Sequence, residues 1–131
     1  PIVLGGSQDA GYGIFKGLTP LAKKDSEYGL INFDAHFDLR EPGESGGTSG
    51  TWALQIAQAS RQLNMPFHYL ALGIQQYSNT RRLFETATEM GSPYFLAEQF
   101  TNDQLTDILQ KINGIIANSD CLQLSVDLDV F

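Results

Sequence analysis

The chain contains a single cysteine, Cys121, among 131 residues, so no intramolecular disulfide framework can hold it together. Placed between Asp120 and Leu122, Cys121 reads as a structural thiol in or beside a strand. No apolar run approaches the ~18 residues of a membrane span, and no basic segment with a cleavage site opens the chain. These absences lead us to expect a cytoplasmic protein with no membrane partner. Cations are also scarce, with 8 Lys and Arg against 15 Asp and Glu and a formal net charge of −7. No basic cluster offsets that surface, which repels phosphate backbones and argues against nucleic acid as a partner. Only two histidines occur, so the place of each carries information. Hydrophobic residues make up 42% of the chain, enough for a core and for about one domain, residues 1–131.

Short apolar runs alternate with amphipathic stretches. Strand-like runs cover Pro1 to Leu4, ending at Gly5-Gly6, then Tyr28 to Phe33, Phe67 to Ile74, Pro93 to Leu96 and Leu122 to Val126. Between them, Asp9 to Lys24 reads as a helix interrupted by Gly17 and Pro20. Thr51 to Leu63 carries Trp52, Ile56, Ala59 and Leu63 at helical spacing. Asn79 reads as the N-cap of a helix reaching Met90, with Leu83 and Phe84 inward. Thr101-x-x-Gln104 reads as a capping box before Leu105, Ile108, Leu109 and Ile112. Gly43 to Gly50 is a loop. Alternating β and α elements with near-continuous apolar strands predict an α/β fold with a parallel sheet covered by helices on both faces. The chain starts and stops at strand-like segments, so it reads as a domain incomplete at both ends.

In such sheets ligands sit beyond the carboxyl ends of the strands. Two acidic clusters fall there. In "INFDAHFDLR" an apolar run stops at Asp34, and His36 and Asp38 follow at alternate positions. In "LQLSVDLDVF" Asp127 and Asp129 follow another apolar run. A lone Asp at a strand end is usually a turn former. Four carboxylates with an imidazole in two such clusters are different, because close carboxylates repel and some need a raised pKa unless a cation is bound. Carboxylate oxygens with imidazole suit Mn²⁺, with Zn²⁺, Fe²⁺ or Co²⁺ as alternatives. Alternating residues point to opposite sides, so two neighbouring ions could share the cluster and ionise a water between them.

"NFDAHFDLR" and "LSVDLDVF" resemble the two acidic motifs of the ureohydrolases, the superfamily of arginase, agmatinase and formimidoylglutamase. "GGSQD" stands where that family has a Gly-Gly segment followed by histidine. The resemblance covers essentially the whole chain, as the central part of a longer domain. It implies an arginase-like three-layer αβα sandwich and a hydrolase with two Mn²⁺. By the resemblance, Asp34 and Asp127 would bridge the ions, Asp38 would bind one, and His36 with Asp129 would bind the other. Asp34 and Asp129 would then serve catalysis directly, Asp129 also in proton transfer. At Gln8 most of the family has a histidine ligand. A carboxamide oxygen is a poorer donor, so Gln8 would be a weak ligand and one ion would bind loosely. The arginase branch has a further histidine where Ala53 stands here. His68 lies within a strand and reads as structural.

"FDAHFDLR" followed by "TSGT" is more similar to formimidoylglutamase than to arginase or agmatinase. Arg40 fits that branch physically. A guanidinium beside the site repels a cationic guanidine and clamps a carboxylate bidentately, and N-formimino-L-glutamate has two carboxylates. Thr48 and Ser49 are candidates for hydrogen bonds to the substrate. The expectation is hydrolysis of a C–N bond of a linear amidine, formimidoylglutamate giving glutamate and formamide in histidine catabolism. The isolated chain is expected to be inactive, and the full-length protein to be a homo-oligomer. Two alternatives stay open. One is a guanidine ureohydrolase such as agmatinase or arginase. The other is a non-catalytic, metal-weakened paralogue acting as a binding or assembly subunit, suggested by Gln8 and Ala53. A receiver-like phosphoacceptor would share the strand-end aspartates but give His36 no role.

Overall fold

The computed structural model describes residues 1–131 and contains one parallel sheet with four strands in the order β3-β2-β1-β4. In chain order the elements are α1 (Ala10–Leu18), β1 (Tyr28–Phe33), α2 (Trp52–Gln62), β2 (Phe67–Ile74), α3 (Arg81–Glu89), β3 (Tyr94–Leu96), α4 (Leu105–Ala117) and β4 (Cys121–Val126). From β1 the chain steps in one direction to β2 and β3, then returns across the sheet to place β4 on the other side of β1. Right-handed crossovers send helices to one face while the chain steps one way and to the other face when it reverses. The packing follows that rule. Phe15 of α1, Trp52, Ala53 and Ile56 of α2 and Leu83 and Ala87 of α3 share one core cluster with Tyr28, Leu30, Tyr69 and Ala71 of the sheet. Ile108 and Ile115 of α4 pack on the opposite face against Ile31, Leu70, Leu72 and Phe95. The result is the three-layer αβα arrangement expected from the alternation. Each fully buried Leu, Ile or Phe in these layers contributes ~1.5–3 kcal/mol.

β4 is covered on one face only. Cys121, Gln123 and Ser125 face α1, and the Gln123 Oε1 accepts a 2.5 Å hydrogen bond from the buried Tyr28 hydroxyl. Leu122, Leu124 and Val126 face the other way and remain exposed. Cys121 is half-buried within the strand, in keeping with a structural thiol.

Four local expectations are corrected. Pro1 to Leu4 is not a strand, and Ile2 and Leu4 are each 90% exposed. An apolar run forms a strand only where a sheet edge pairs with it, and none does so here. Asn79 does not cap α3, whose N-cap is Thr80. Its side chain instead clamps a loop, accepting from Phe37 N (3.1 Å) and donating to Ala35 O and Gln75 O (2.8 Å each). The Thr101–Gln104 box does not form. Gln104 is the N-cap of α4 without a side-chain cap bond, and the Thr101 carbonyl accepts from Leu105 N instead. The first helix crosses Gly17 and ends at Leu18, before a 3-10 turn at Thr19–Leu21 that contains Pro20. No helix is long and apolar enough to cross a membrane.

Candidate metal centre

The reversal of strand order lies between β1 and β4, so a crevice opens there beyond their carboxyl ends. The register brings the two acidic clusters together. Phe33 pairs with Val126, Asp34 N donates to Leu72 O at 2.9 Å, and Asp127 N donates to Phe33 O at 2.8 Å. Asp34 and Asp127 are therefore level, one step past the paired strands. A 3-10 turn at Leu128–Val130 then swings Asp129 back over β1. The turn is fixed by Asp127 Oδ1, which accepts from Asp129 N (3.1 Å), and by Asp129 Oδ1, which accepts from Ala35 N (3.2 Å).

Asp34, His36 and Asp129 offer ligand atoms that all lie within 4.8 Å of one another. His36 Nδ1 is 2.9 Å from Asp129 Oδ2 and 3.4 Å from Asp34 Oδ1. Asp34 is 1% exposed and Asp38 5%, whereas Asp127 is half-buried and Asp129 exposed. Burial pushes the Asp34 carboxyl above its ordinary range, opposed by hydrogen bonds from the His36 backbone and the Gln8 and Asn32 amides. Asp38 is raised to about 8, first by burial and then by the charge of Asp34, and the Trp52 N–H acts against the rise. Two carboxyls buried against one another without a cation cannot both ionise cheaply. A divalent ion removes that conflict, so this oxygen-rich donor set with one imidazole fits such an ion.

His36, Asp38, Asp127 and Asp129 line a cavity of about 220 Å³ together with Gln8, Arg40, Thr48 and Ser49. Arg40 is exposed, its side chain lies over Gly50, and no carboxylate pairs with it. Thr48 and Ser49 belong to a turn closed by Thr51 N on Thr48 O (3.0 Å) and by Thr51 Oγ1, which accepts from Thr48 N (2.7 Å). A larger groove of about 490 Å³ between α2 and α3 shares Arg40 and Leu83 with the cavity. Its acids are already engaged, Glu41 by Gln58 and Glu89 by Arg82, so the acidic chemistry belongs to the smaller cavity.

Gln8 reaches the cavity, but its amide nitrogen is turned inward, donating to Asn32 Oδ1 (3.0 Å) and Ser125 Oγ (3.2 Å). Ala53 is buried in the core and is not among the residues that line the cavity. His68 pairs with Glu27 at 2.6 Å, away from the acidic clusters, as a structural residue would.

Two residues at the site escape sequence reasoning. Asn32 is fully buried and donates to Asp34 Oδ2 at 3.0 Å, but it sits inside an apolar run and looks like a strand residue. Trp52 Nε1 donates to Asp38 Oδ2 at 2.6 Å, but its helical spacing marks it only as core. A polar residue interrupting a buried strand two positions before a metal-type Asp is the signal that could have revealed Asn32.

Comparison with known proteins bears on the whole chain. The Arginase family profile matches residues 1–131. The formimidoylglutamase of Hahella chejuensis is 41% identical over 133 residues, covering 99% of this chain and 41% of that protein. The chain thus spans about two fifths of the length of this relative. Among solved structures, formimidoylglutamase from Bacillus subtilis superposes with a TM-score of 0.82 at 22% identity, covering 98% of this chain and 39% of that one. A variant of Trypanosoma cruzi formiminoglutamase with Mn²⁺ superposes with a TM-score of 0.74 at 20% identity, covering 95% and 40%.

Proposed function

The chain belongs to the arginase family, and on that premise we propose that the protein containing it is a Mn²⁺-dependent hydrolase that converts N-formimino-L-glutamate and water to L-glutamate and formamide. One observation carries the reading. His36 and Asp129, which group with the buried Asp34, share their cavity rim with a guanidinium, Arg40, that has no carboxylate of its own.

Asp34, Asp38, Asp127, His36 and Asp129 would hold two Mn²⁺ ions, with Gln8 as a weak additional ligand. The ions would supply Lewis-acid polarisation and a water nucleophilic at neutral pH. Arg40 would clamp a substrate carboxylate, which the dicarboxylate supplies and a cationic guanidine at that position would not. Thr48 and Ser49 would hydrogen-bond the amino-acid end. Asp129, the exposed carboxylate beside His36, would accept a proton from the attacking water and pass it to the leaving nitrogen. Because position 53 is alanine, no histidine there shares this task.

The test is an activity screen of the full-length protein with Mn²⁺ against N-formimino-L-glutamate, arginine, agmatine and guanidinobutyrate. We expect stoichiometric glutamate and formamide from the first only. Urea released from a guanidine would overturn the substrate assignment, and no turnover of any of them would favour a non-catalytic paralogue.

A further inference from the structure

The sequence around Trp52 gives no hint of a role in chemistry, but its surroundings in the fold do. The indole is fully buried at the first turn of α2. It lies against α1 where Gly11 has no side chain, and a Cβ there would sit 2.5 Å from the ring carbons Cε3 and Cζ3. The ring is thus wedged between two helices and the sheet, with little freedom to turn. Its one polar atom, Nε1, reaches Asp38 Oδ2 at 2.6 Å.

Asp38 needs such a partner. Its backbone is left-handed, with φ 53°, a conformation that side-chain-bearing residues adopt at a cost and keep only where the surroundings dictate it. Two contacts with α2 do so. The Asp38 carbonyl accepts from Leu54 N (3.3 Å), and the carboxylate accepts from the indole. The second fixes the carboxylate rotamer and occupies one oxygen, leaving Oδ1 as the atom for the cavity.

We propose that Trp52 is a positioning residue for the metal centre, orienting Asp38 so that one carboxylate oxygen is presented as a single-point ligand. The inference rests on the reading of Asp38 as a metal ligand. Partners that orient ligands from outside typically govern metal affinity by about 10–100-fold. The N–H supplies direction without charge, so it holds Asp38 without competing for the ion as a Lys or Arg would.

The experiment is calorimetric titration of metal-free full-length protein with Mn²⁺, comparing wild type, Trp52→Phe and Ile56→Val. Ile56 is a fully buried residue of the same helix and the same core cluster, and its aliphatic side chain can make no hydrogen bond to an acid, so its variant measures the effect of merely loosening the core. We expect Trp52→Phe to weaken one class of Mn²⁺ site tenfold or more and Ile56→Val to leave both classes unchanged. Should Trp52→Phe fail to fold, the tryptophan analogue 3-benzothienylalanine at position 52 removes the N–H while keeping the bicyclic shape, and the same weakening is expected. Unchanged affinities without the N–H, or equal losses in both variants, overturn the positioning role while leaving the metal reading intact. A wild type that binds no Mn²⁺ overturns both.

Discussion

Replacing Asp38 by Asn should stabilise the metal-free protein, and by an amount that grows with pH. Asn keeps the shape of the side chain, tolerates the left-handed backbone at this position better than most residues, and still offers an oxygen to the Trp52 indole. What it removes is the carboxyl that burial and Asp34 raise from 3.8 to about 8. The sign follows from proton counts. Below pH 3.8 folded and unfolded chains both carry the proton and nothing differs. Between 3.8 and about 8 the unfolded chain releases it and the folded chain retains it, so stability falls as pH rises, by ~1.4 kcal/mol per pH unit. By pH 7 the loss is on the order of 4 kcal/mol, a large part of the ~5–15 kcal/mol that holds a domain together. Urea unfolding of wild type and Asp38→Asn in the presence of a chelator, from pH 4 to 8, should show curves that coincide at the acid end and separate steadily, with the variant more stable. With Mn²⁺ at about a hundredfold excess over its Kd the wild type should recover ~2.7 kcal/mol and the variant less, because it has lost a charged ligand. A gap that stays constant between pH 4 and 8 without metal would refute the burial argument.

Three further outcomes are expected. Arg40→Met should raise KM for N-formimino-L-glutamate about 10–100-fold, the worth of a charge-assisted bond of ~1.5–3 kcal/mol, while a substrate amidated at its carboxylates should lose this sensitivity in steady-state assays. Gln8→His should tighten the weaker Mn²⁺ site in a stepwise titration and raise activity at low Mn²⁺, and unchanged affinities would mean that Gln8 only buttresses Asn32. Gly73→Ala should cost ~1–3 kcal/mol in thermal unfolding. Position 73 has φ 96° and its Cβ would collide with Val130 in the turn that carries Asp129, so Mn²⁺ binding should weaken as well.

How much of this was legible in the residues depends on the range of the interaction involved. β1 and β2 are nearly continuous apolar runs because both faces are covered, and such runs are visible without a structure. The acidic clusters were visible because they end those runs. The misreadings share one cause. Pro1 to Leu4 has the composition of a strand, but a strand needs a paired edge. Asn79 has the chemistry of a cap, and that same chemistry lets it clamp the 35–37 loop from 42 residues away. Trp52 and Asn32 act through single polar atoms on side chains that otherwise look like core.

The convergence of Asp34 with Asp127 depends on β4 holding its register, because a one-residue slip would turn every β4 side chain to the opposite face. The outward apolar face of β4, with Leu122, Leu124 and Val126 exposed, contributes little to that choice. The inward face supplies it through polar contacts. Gln123 accepts from Tyr28 and donates to Gly11 O (3.4 Å), and Ser125 accepts from Gln8. In a slipped register these buried donors and acceptors would lose their partners, at ~1–3 kcal/mol each. The amide of Gln8 therefore connects two tasks. Through Ser125 it helps fix the strand that delivers Asp127 and Asp129, and through Asn32 it supports the carboxylate of Asp34. A histidine in its place could bind an ion more strongly but has one N–H to donate when the other nitrogen ligates, so it could serve Asn32 or Ser125 and not both.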